Sequence, residues 1–139
     1  MKNAENQDFR IVSDLNELPL DDVVRLLRTT YWAGHRSPEQ IALSMRNSDC
    51  YGVRVDGAEG LVGFARVITD RATTYYLCDV VVDPDHRGRG LGKALVSHIV
   101  SRPEYAGLRG LLLTRDAHGL YRQSGFKTVE GRAMERSPQ

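Results

Sequence analysis

The sequence predicts an α+β fold built on a mixed, mainly antiparallel sheet. Three strand-like runs, at residues 50–55, 61–69 and 73–82, follow one another through turns of a few residues. Connections this short cannot hold a helical crossover, so the three strands should form an antiparallel meander. A helical pattern then separates the third run from a fourth, at 109–115. This strand–helix–strand unit predicts that the fourth run pairs in parallel with the third.

The composition is that of one globular domain spanning residues 1–139. Hydrophobic residues make up 41% of the chain and charged residues 27%, which argues against disorder. The 19 basic residues nearly balance the 18 acidic ones, so no overall charge attracts the chain to nucleic acid or to an anionic membrane. The first eight residues are polar, and we expect a frayed tail there.

The two cysteines, Cys50 and Cys78, lie in strand-like runs and are expected to be buried thiols of a reducing compartment. No cysteine–histidine cluster has the spacing of metal ligands, so we expect no metal. No apolar run approaches the roughly 20 residues of a membrane span, and the N-terminus lacks the apolar core of a secretory signal. Together these features favour a cytoplasmic protein.

The N-terminal third of the chain predicts one strand and two helices. Residues 9–13 alternate between apolar and polar, as a half-buried strand does. A first helix is predicted from Leu20, because apolar residues recur from there to Tyr31 at helical spacing. A second helix begins with Ser37 as its N-cap and Gln40 as the capping-box partner. The two helices are joined by an aromatic loop.

The C-terminal third completes the predicted order of elements. A helix is predicted over 91–102, and Pro103 stops it. The run at 109–115 contains three consecutive leucines, which fits a buried parallel strand. A short helix at 118–123 and two final strands, at 126–129 and 132–135, follow.

A glycine-rich turn joins the third strand of the meander to the next helix. Its glycines permit positive φ and let the backbone approach a ligand closely, and the amides at the helix start suit a phosphate. Basic side chains between the glycines add local positive charge. The turn comprises Arg87, Gly88, Arg89, Gly90, Leu91, Gly92 and Lys93. From these residues alone, we predict a site for a phosphorylated ligand.

Two other phosphate-binding motifs do not fit this turn. A Walker A loop needs glycine where the chain has Arg87, and serine or threonine where it has Ala94. A dinucleotide-binding fingerprint counted from Gly88 lacks its third glycine, and the preceding strand belongs to a meander. A tight turn with a solvated basic rim remains the alternative to a ligand site.

Residues 80–95 and 116–126 resemble two motifs of the GNAT superfamily of N-acetyltransferases. In the first, Arg87, Gly90 and Gly92 match the family's Arg/Gln-x-x-Gly-x-Gly/Ala signature, which follows an apolar strand. The second is similar to the family's Asn-Ala-x-x-Leu-Tyr-x-x-x-Gly-Phe segment. The order of the predicted elements also agrees with the family over nearly the whole chain.

The resemblance implies helices on both faces of the sheet and a splay between its fourth and fifth strands, which holds acetyl-CoA. A bulge in the fourth strand would leave amides free for the thioester carbonyl, and the glycine-rich turn would bind the pyrophosphate. Asp116 stands where asparagine is common, so a bond to the cofactor arm there would need a donor on the ligand. The implied cofactor-binding residues are Val80, Val81, Val82, Arg87, Gly88, Arg89, Gly90, Leu91, Gly92, Lys93 and Asp116.

The same resemblance implies an N-acetyltransferase that moves the acetyl group directly to a primary amine through a tetrahedral intermediate. Tyr121 matches the family's general acid, and the alternative is a core tyrosine with a satisfied hydroxyl. Asp79 is the candidate general base, with a salt bridge to Arg66 or a water relay as alternatives. Strand alternation places Asp79 on the same face as Leu77 and Val81.

The acceptor side carries the fewest signals. Tyr31, Trp32 and His35 lie in the loop that lines the acceptor pocket in the family, and an aromatic wall suits an apolar or cationic substrate. The alternative for these aromatic residues is a hydrophobic anchor for the loop. We expect a small-molecule amine or a peptide as acceptor, and a monomer or homodimer. A catalytically silent acyl-CoA sensor and a nucleotide-binding protein are the alternative functions.

Overall fold

A computed structural model describes residues 1–4 and 7–138 of the chain. In these two ranges, five strands form one sheet in the order β1-β2-β3-β4-β5. The first four strands pair antiparallel, and β4 pairs with β5 in parallel. The strands are β1 (Phe9–Val12), β2 (Asp49–Val55), β3 (Gly63–Thr69), β4 (Thr74–Val82) and β5 (Arg109–Leu111). The predicted mixed, mainly antiparallel sheet is therefore confirmed.

Within the described residues, four α-helices cover the two faces of this sheet, which confirms the α+β class. They are α1 (Leu20–Leu27), α2 (Pro38–Arg46), α3 (Leu91–Val100) and α4 (His118–Arg122). On one face, the apolar sides of α1 and α2 share a buried cluster with Phe64 and Val81 of the sheet. On the other face, α3 packs against Val67 and Leu77. The sheet thus separates two hydrophobic cores.

The two N-terminal helices begin and end for local reasons. Ser37 caps α2 and accepts a hydrogen bond of 3.1 Å from the Gln40 amide, as predicted. The first helix is shorter than predicted, because α1 ends at Leu27 and does not reach Tyr31. The hydroxyl of Thr30 donates to the Leu27 carbonyl at 2.7 Å, and such side-chain bonds compete with continuation of the helix. The aromatic loop therefore starts earlier than predicted.

A β-bulge interrupts β4 next to the centre of the sheet. Phe64 of β3 lies opposite Val81, whereas Arg66 lies opposite Cys78, so β4 carries one extra residue between these pairs. Asp79 takes up this residue with a φ of 55°. An extra residue inverts the alternation of side chains beyond it.

This inversion corrects one prediction from the sequence. Leu77 packs in the core beneath α3, whereas Val81 packs in the core beneath α1 and α2. The prediction that Leu77, Asp79 and Val81 share one face is therefore wrong. Asp79 contacts the α1–α2 side, as its partners below show.

The fifth strand is shorter and more exposed than predicted. Its parallel pairing with β4 is confirmed, but it spans only Arg109–Leu111. Leu111 is 36% exposed and Leu113 is 64% exposed, so the prediction of a buried strand over 109–115 is wrong. The physical reason is that no strand of the described chain pairs with the outer edge of β5.

The two final strands predicted at 126–129 and 132–135 are absent from the described residues, so this prediction is also wrong. Residues 126–138 contain no strand, and a positive φ of 70° at Gly131 interrupts the extended backbone. This segment runs beside β5 and leaves a groove of about 550 Å³ between them. The sheet consequently ends on an unpaired edge.

The described part of the first eight residues makes specific contacts, where the sequence predicts a frayed tail. Lys2 forms an ion pair of 2.7 Å with Asp8, and the Ala4 amide donates to the Arg89 carbonyl at 2.9 Å. Glu5 and Asn6 lie outside the described residues. The N-terminal segment therefore touches the glycine-rich turn.

Cys50 is buried and Cys78 is half-buried, and both are free thiols. Cys78 is thus more accessible than the buried thiol predicted for it. Within the described chain, no helix is long and apolar enough to cross a membrane. The same residues contain no cluster of three metal-ligating side chains.

Candidate active site

The parallel strands β4 and β5 separate before β4 ends. Their ladder stops at the pair Tyr76 and Leu111, whereas β4 continues to Val82. Within the described chain, residues 77–82 therefore pair with no strand on the β5 side over about 20 Å, at roughly 3.3 Å per residue. This splay exposes the backbone edge of β4, including the bulge, to a ligand of extended shape.

The glycine-rich turn lies at the end of that edge and opens α3. Gly88 and Gly90 have φ values of 77° and 82°, which only glycine adopts without strain. A Cβ atom at either position would meet nothing within 4 Å, so the space above the turn is open. The first intrahelical bond runs from the Ala94 amide to the Gly90 carbonyl, so the amides of residues 91–93 have no intrahelical acceptor. These amides and the helix dipole favour an anion.

Gly92 serves a different purpose from the other two glycines. It lies in the first turn of α3 without a positive φ. A Cβ atom here would lie 3.7 Å from Val82 Cγ2 and 4.0 Å from Leu120 Cδ2. The missing side chain therefore keeps a narrow gap open where β4, α3 and α4 meet.

The basic side chains of the turn have distinct environments. Arg87 donates through Nε to the Val82 carbonyl at 3.0 Å and thereby ties the turn to the end of β4. Arg89 donates to Gln7 Oε1 at 3.3 Å in the N-terminal segment. Lys93 is exposed and forms no ion pair with any described residue. The lysine is thus the basic group that an anion at the turn would meet most directly.

Tyr121 projects from α4 toward the splay. Burial raises the pKa of its hydroxyl to about 12, and the charge of Asp116 and the nearby Tyr31 and Cys78 act in the same direction. Its hydroxyl has no hydrogen-bond partner among the described residues. This absence does not support the alternative of a core tyrosine with a satisfied hydroxyl. The group is protonated at neutral pH and available to a ligand.

Local contacts hold Tyr121 in place. The ring of Phe126 meets the Tyr121 ring edge to face at 6.1 Å between centroids. Gly125 adopts a φ of 92° and lets the chain reverse, so that the Phe126 amide donates to the Tyr121 carbonyl at 3.2 Å. At the start of the helix, Thr114 Oγ1 accepts from the Ala117 amide at 3.0 Å. The glycine and phenylalanine of the second motif therefore support the tyrosine.

Asp79 is the most highly connected side chain at the bulge. Its carboxylate is 2% exposed. One oxygen accepts from Arg36 at 2.8 Å and from Arg66 Nε at 2.9 Å, and the other accepts from Trp32 Nε1 at 3.1 Å. The salt bridge to Arg66, the alternative from the sequence, is thus present. We name these four residues the Asp79 cluster.

The sequence did not single out Arg36 as a site residue. It lies four residues after Trp32 in the aromatic loop, and the aromatic side chains alone suggested a role for this loop. Asp79 stands among apolar strand residues, and a buried carboxylate needs charged partners. This need was the sequence feature that could have pointed to an arginine such as Arg36. The Asp79 cluster ties the loop between α1 and α2 to the bulge of β4.

The aromatic residues of this loop span the splay. The rings of Tyr31 and Trp32 meet edge to face at 5.0 Å between centroids. Trp32 bonds to Asp79 on β4, and Arg115 Cζ lies 3.8 Å from the centroid of Tyr31, just beyond β5. The pair therefore connects the two separated strands. His35 is exposed and has no hydrogen bond or ring contact among the described residues, so the structure does not bring it to this site.

Residues 46–128 match the family model described as "Acetyltransferase (GNAT) domain". The chain is 29% identical over 129 residues to the histone acetyltransferase TAP1 of Glycine max, an alignment that covers 84% of this chain and 55% of the relative. The alignment with an N-acetyltransferase ycf52 of Gracilaria tenuistipitata var. liui covers 38% of that relative. The chain thus spans about half the length, or less, of these curated relatives.

Solved structures show the same fold. A crystal structure from Xanthomonas campestris pv. campestris, described as belonging to the GNAT family, is 39% identical with a TM-score of 0.85, over 94% of each chain. The N-acetylglutamate synthase of Neisseria gonorrhoeae, complexed with coenzyme A and N-acetyl-glutamate, is 22% identical with a TM-score of 0.69. That alignment covers 88% of this chain and 29% of the synthase, and at this identity it supports the fold alone.

Proposed function

Because the chain belongs to the GNAT family of acetyltransferases, we propose that it transfers the acetyl group of acetyl-CoA directly to a primary amine. The family supplies the reaction type and the donor. The described residues supply the arguments for where the donor binds and which group donates the proton.

The glycine-rich turn and the splay fit the two parts of coenzyme A. The amides of residues 88–93 would hold the pyrophosphate, since those of 91–93 have no intrahelical acceptor and the space above Gly88 and Gly90 is open. The free edge of residues 77–82 would hold the pantetheine arm. Bound acetyl-CoA supplies an activated thioester. The amides of Val80 and Val82, on the edge of β4 away from β3, would then donate to its carbonyl oxygen and stabilise the charge that develops there.

Tyr121 is the proposed general acid. The acceptor nitrogen attacks the thioester carbonyl carbon, a C–N bond forms, and the C–S bond then breaks. The Tyr121 hydroxyl would give its proton to the departing sulfur. Because its pKa is raised to about 12, the hydroxyl stays protonated at neutral pH. Its lack of a protein partner leaves it available for this transfer.

We do not assign the general base to Asp79. Its carboxylate is 2% exposed and already accepts three hydrogen bonds, from Arg36, Arg66 and Trp32, so an acceptor amine has little access to it. We propose that Asp79 is a positioning residue, which holds the aromatic loop against the bulge. Water along the open edge of β4 would take the proton, as in the water relay considered from the sequence.

The observation that carries the proposal is the unpartnered hydroxyl of Tyr121 beside the splay. The test measures release of the CoA thiol from acetyl-CoA with a panel of amines, and checks the acetylated product by mass spectrometry. We expect Tyr121→Phe to lower kcat by about 10²-fold or more, the usual contribution of a general acid. The KM for acetyl-CoA should change little.

Tyr105→Phe is the matched control, because the Tyr105 hydroxyl already bonds Asp49 at 2.7 Å, away from the splay. It should lower stability and leave kcat unchanged. A near-normal kcat in Tyr121→Phe would remove Tyr121 from the mechanism. Binding of acetyl-CoA without turnover on any amine would instead favour an acyl-CoA sensor. Binding of ATP without binding of CoA, measured by calorimetry, would favour a nucleotide-binding protein.

A further inference from the structure

Arginine side chains surround the aromatic pair on the acceptor side of the splay. In the Asp79 cluster, one carboxylate faces two guanidinium groups. Their side-chain exposures are 22% for Arg36 and 10% for Arg66, so solvent screens these charges only in part. Across the splay lies Arg115, a third guanidinium. An incoming acceptor therefore meets an excess of positive charge.

Arg115 is placed to bind a ligand. Its guanidinium carbon lies 3.8 Å from the centroid of the Tyr31 ring, and the side chain is exposed. Among the described residues it has no hydrogen bond or ion pair, not even with the neighbouring Asp116. A guanidinium stacked on a ring keeps its N–H donors for other partners, and their fork matches the two oxygens of a carboxylate.

We propose that the acceptor is a primary amine that also carries a carboxylate, and that Arg115 binds this carboxylate. The Tyr31 ring supports the arginine, and the amine then reaches the splay near the Tyr121 hydroxyl. The proposal rests on the N-acetyltransferase function proposed above and narrows its substrate class. It also changes the expectation from the sequence, where the aromatic wall alone suited an apolar or cationic substrate.

The same charges disfavour acceptors with a second positive group, such as a polyamine or a peptide rich in lysine. Such an acceptor needs an unpaired carboxylate, and Asp79 already serves two arginines. Asp116 lies near Tyr121 and forms no ion pair with any described residue, but the three guanidinium groups outnumber it and Asp79 together. The positive charge also lowers the pKa of the incoming ammonium and so favours the neutral amine that attacks. This effect reduces the need for a dedicated base.

The experiment compares acceptors that share one skeleton. Phenylalanine, leucine and alanine are each tested as the free amino acid, as the α-amide and as the amine without the carboxyl group. Thiol release from acetyl-CoA gives kcat/KM for each acceptor at equal concentrations of neutral amine. We expect kcat/KM for at least one free amino acid to exceed the values for its α-amide and its carboxyl-free amine by about 10-fold or more, in line with one charge-assisted contact.

Arg115→Gln tests the residue itself. It should lower kcat/KM for the preferred amino acid by about 10-fold or more, mainly through KM. The values for the acceptors that lack the carboxylate should change little. Arg115→Lys should recover part of the loss, because it keeps the charge but not the fork. The control is Arg109→Gln, which removes the same charge at the opposite end of β5 and should leave all values unchanged.

A binding readout separates this proposal from the proposed activity. Trp32 is the sole tryptophan of the chain and lies against Tyr31, so its fluorescence reports ligands at this site. With CoA present, at least one of the three amino acids should change this fluorescence and its α-amide should not. If no amine is acetylated but this difference persists and Arg115→Gln abolishes it, the proposed activity fails and the carboxylate site stands. If the α-amides or the carboxyl-free amines react as well as the amino acids, or if Arg115→Gln affects all acceptors equally, the proposal of a carboxylate site is overturned.

Discussion

Replacing Asp79 by asparagine tests whether the Asp79 cluster holds the aromatic loop. The substitution keeps the shape of the side chain and removes its charge. Asparagine tolerates a positive φ as aspartate does, so the φ of 55° at this position adds no new strain. The amide keeps one acceptor oxygen, and its NH₂ group must face either Trp32 or the two arginines. In both orientations a donor meets a donor.

The magnitude follows from the burial of the partners. Removing one member of a buried ion pair costs about 3–5 kcal/mol, because the other charge is left unpaired. Arg66 is 10% exposed and has little access to water, whereas Arg36 is 22% exposed and relaxes outward more easily. We therefore expect the lower end, about 3 kcal/mol in the free energy of unfolding. For a chain of this length, that corresponds to a fall of roughly 10 °C in Tm.

Urea denaturation followed by circular dichroism measures this loss. Trp32 fluorescence provides a local readout, since the indole loses its acceptor and its emission should shift to longer wavelength. The KM for the acceptor should rise more than the KM for acetyl-CoA. Asp56→Asn, at an exposed turn, is the control and should change stability by less than about 0.5 kcal/mol. A loss below about 1 kcal/mol with unchanged emission in Asp79→Asn would refute the idea that the cluster holds the loop.

Two further predictions concern the glycine-rich turn and alkaline stability. Gly90→Ala should lower stability by about 1–2 kcal/mol, because a φ of 82° strains alanine. Gly92→Ala should keep stability and weaken CoA binding, because its methyl group fills the gap beside Val82. Thermal unfolding and calorimetry with CoA check both, and equal loss of stability in the two variants would contradict this division. Burial raises the pKa of the Cys50 thiol from 9.0 to about 12, so the unfolded chain loses this proton first, and stability should fall as pH rises from 9 toward 12. In urea unfolding, the free energy of unfolding of Cys50→Ala should fall less steeply over this interval than that of the unsubstituted protein, by about 1.4 kcal/mol for each pH unit. An unchanged slope of this free energy against pH would exclude the thiol as a cause.

Local sequence signals predicted much of the fold and the glycine-rich turn. Short turns dictated the antiparallel meander, and the cap at Ser37 depends on neighbouring residues alone. The glycine-rich turn was predicted for the same reason, since the positive φ values of Gly88 and Gly90 follow from the residue type and its place before a helix.

The features that the sequence missed depend on contacts between distant segments. The resemblance implied a bulge in the fourth strand, but alternation did not show that Asp79 takes it up or that Leu77 and Val81 face opposite sides, because apolar residues stand on both sides of it and only pairing with β3 shows the inverted face. The exposure of Leu113 depends on whether the C-terminal segment pairs with β5, which its own alternating pattern does not determine. Arg36 and Arg115 meet their partners only after the loop folds over the splay.

The extra residue in β4 serves the attachment of the aromatic loop and is not needed for the pairing of the strand. A deletion of Asp79 would restore a regular ladder, in which Cys78 still lies opposite Arg66 and Val81 still lies opposite Phe64. Val81 would keep its place in the core beneath α1 and α2. The deletion would remove the carboxylate that Trp32 and Arg36 contact. In a deletion scan, we therefore expect the loss of Asp79 to preserve the order and register of the strands and to detach the aromatic loop from the sheet.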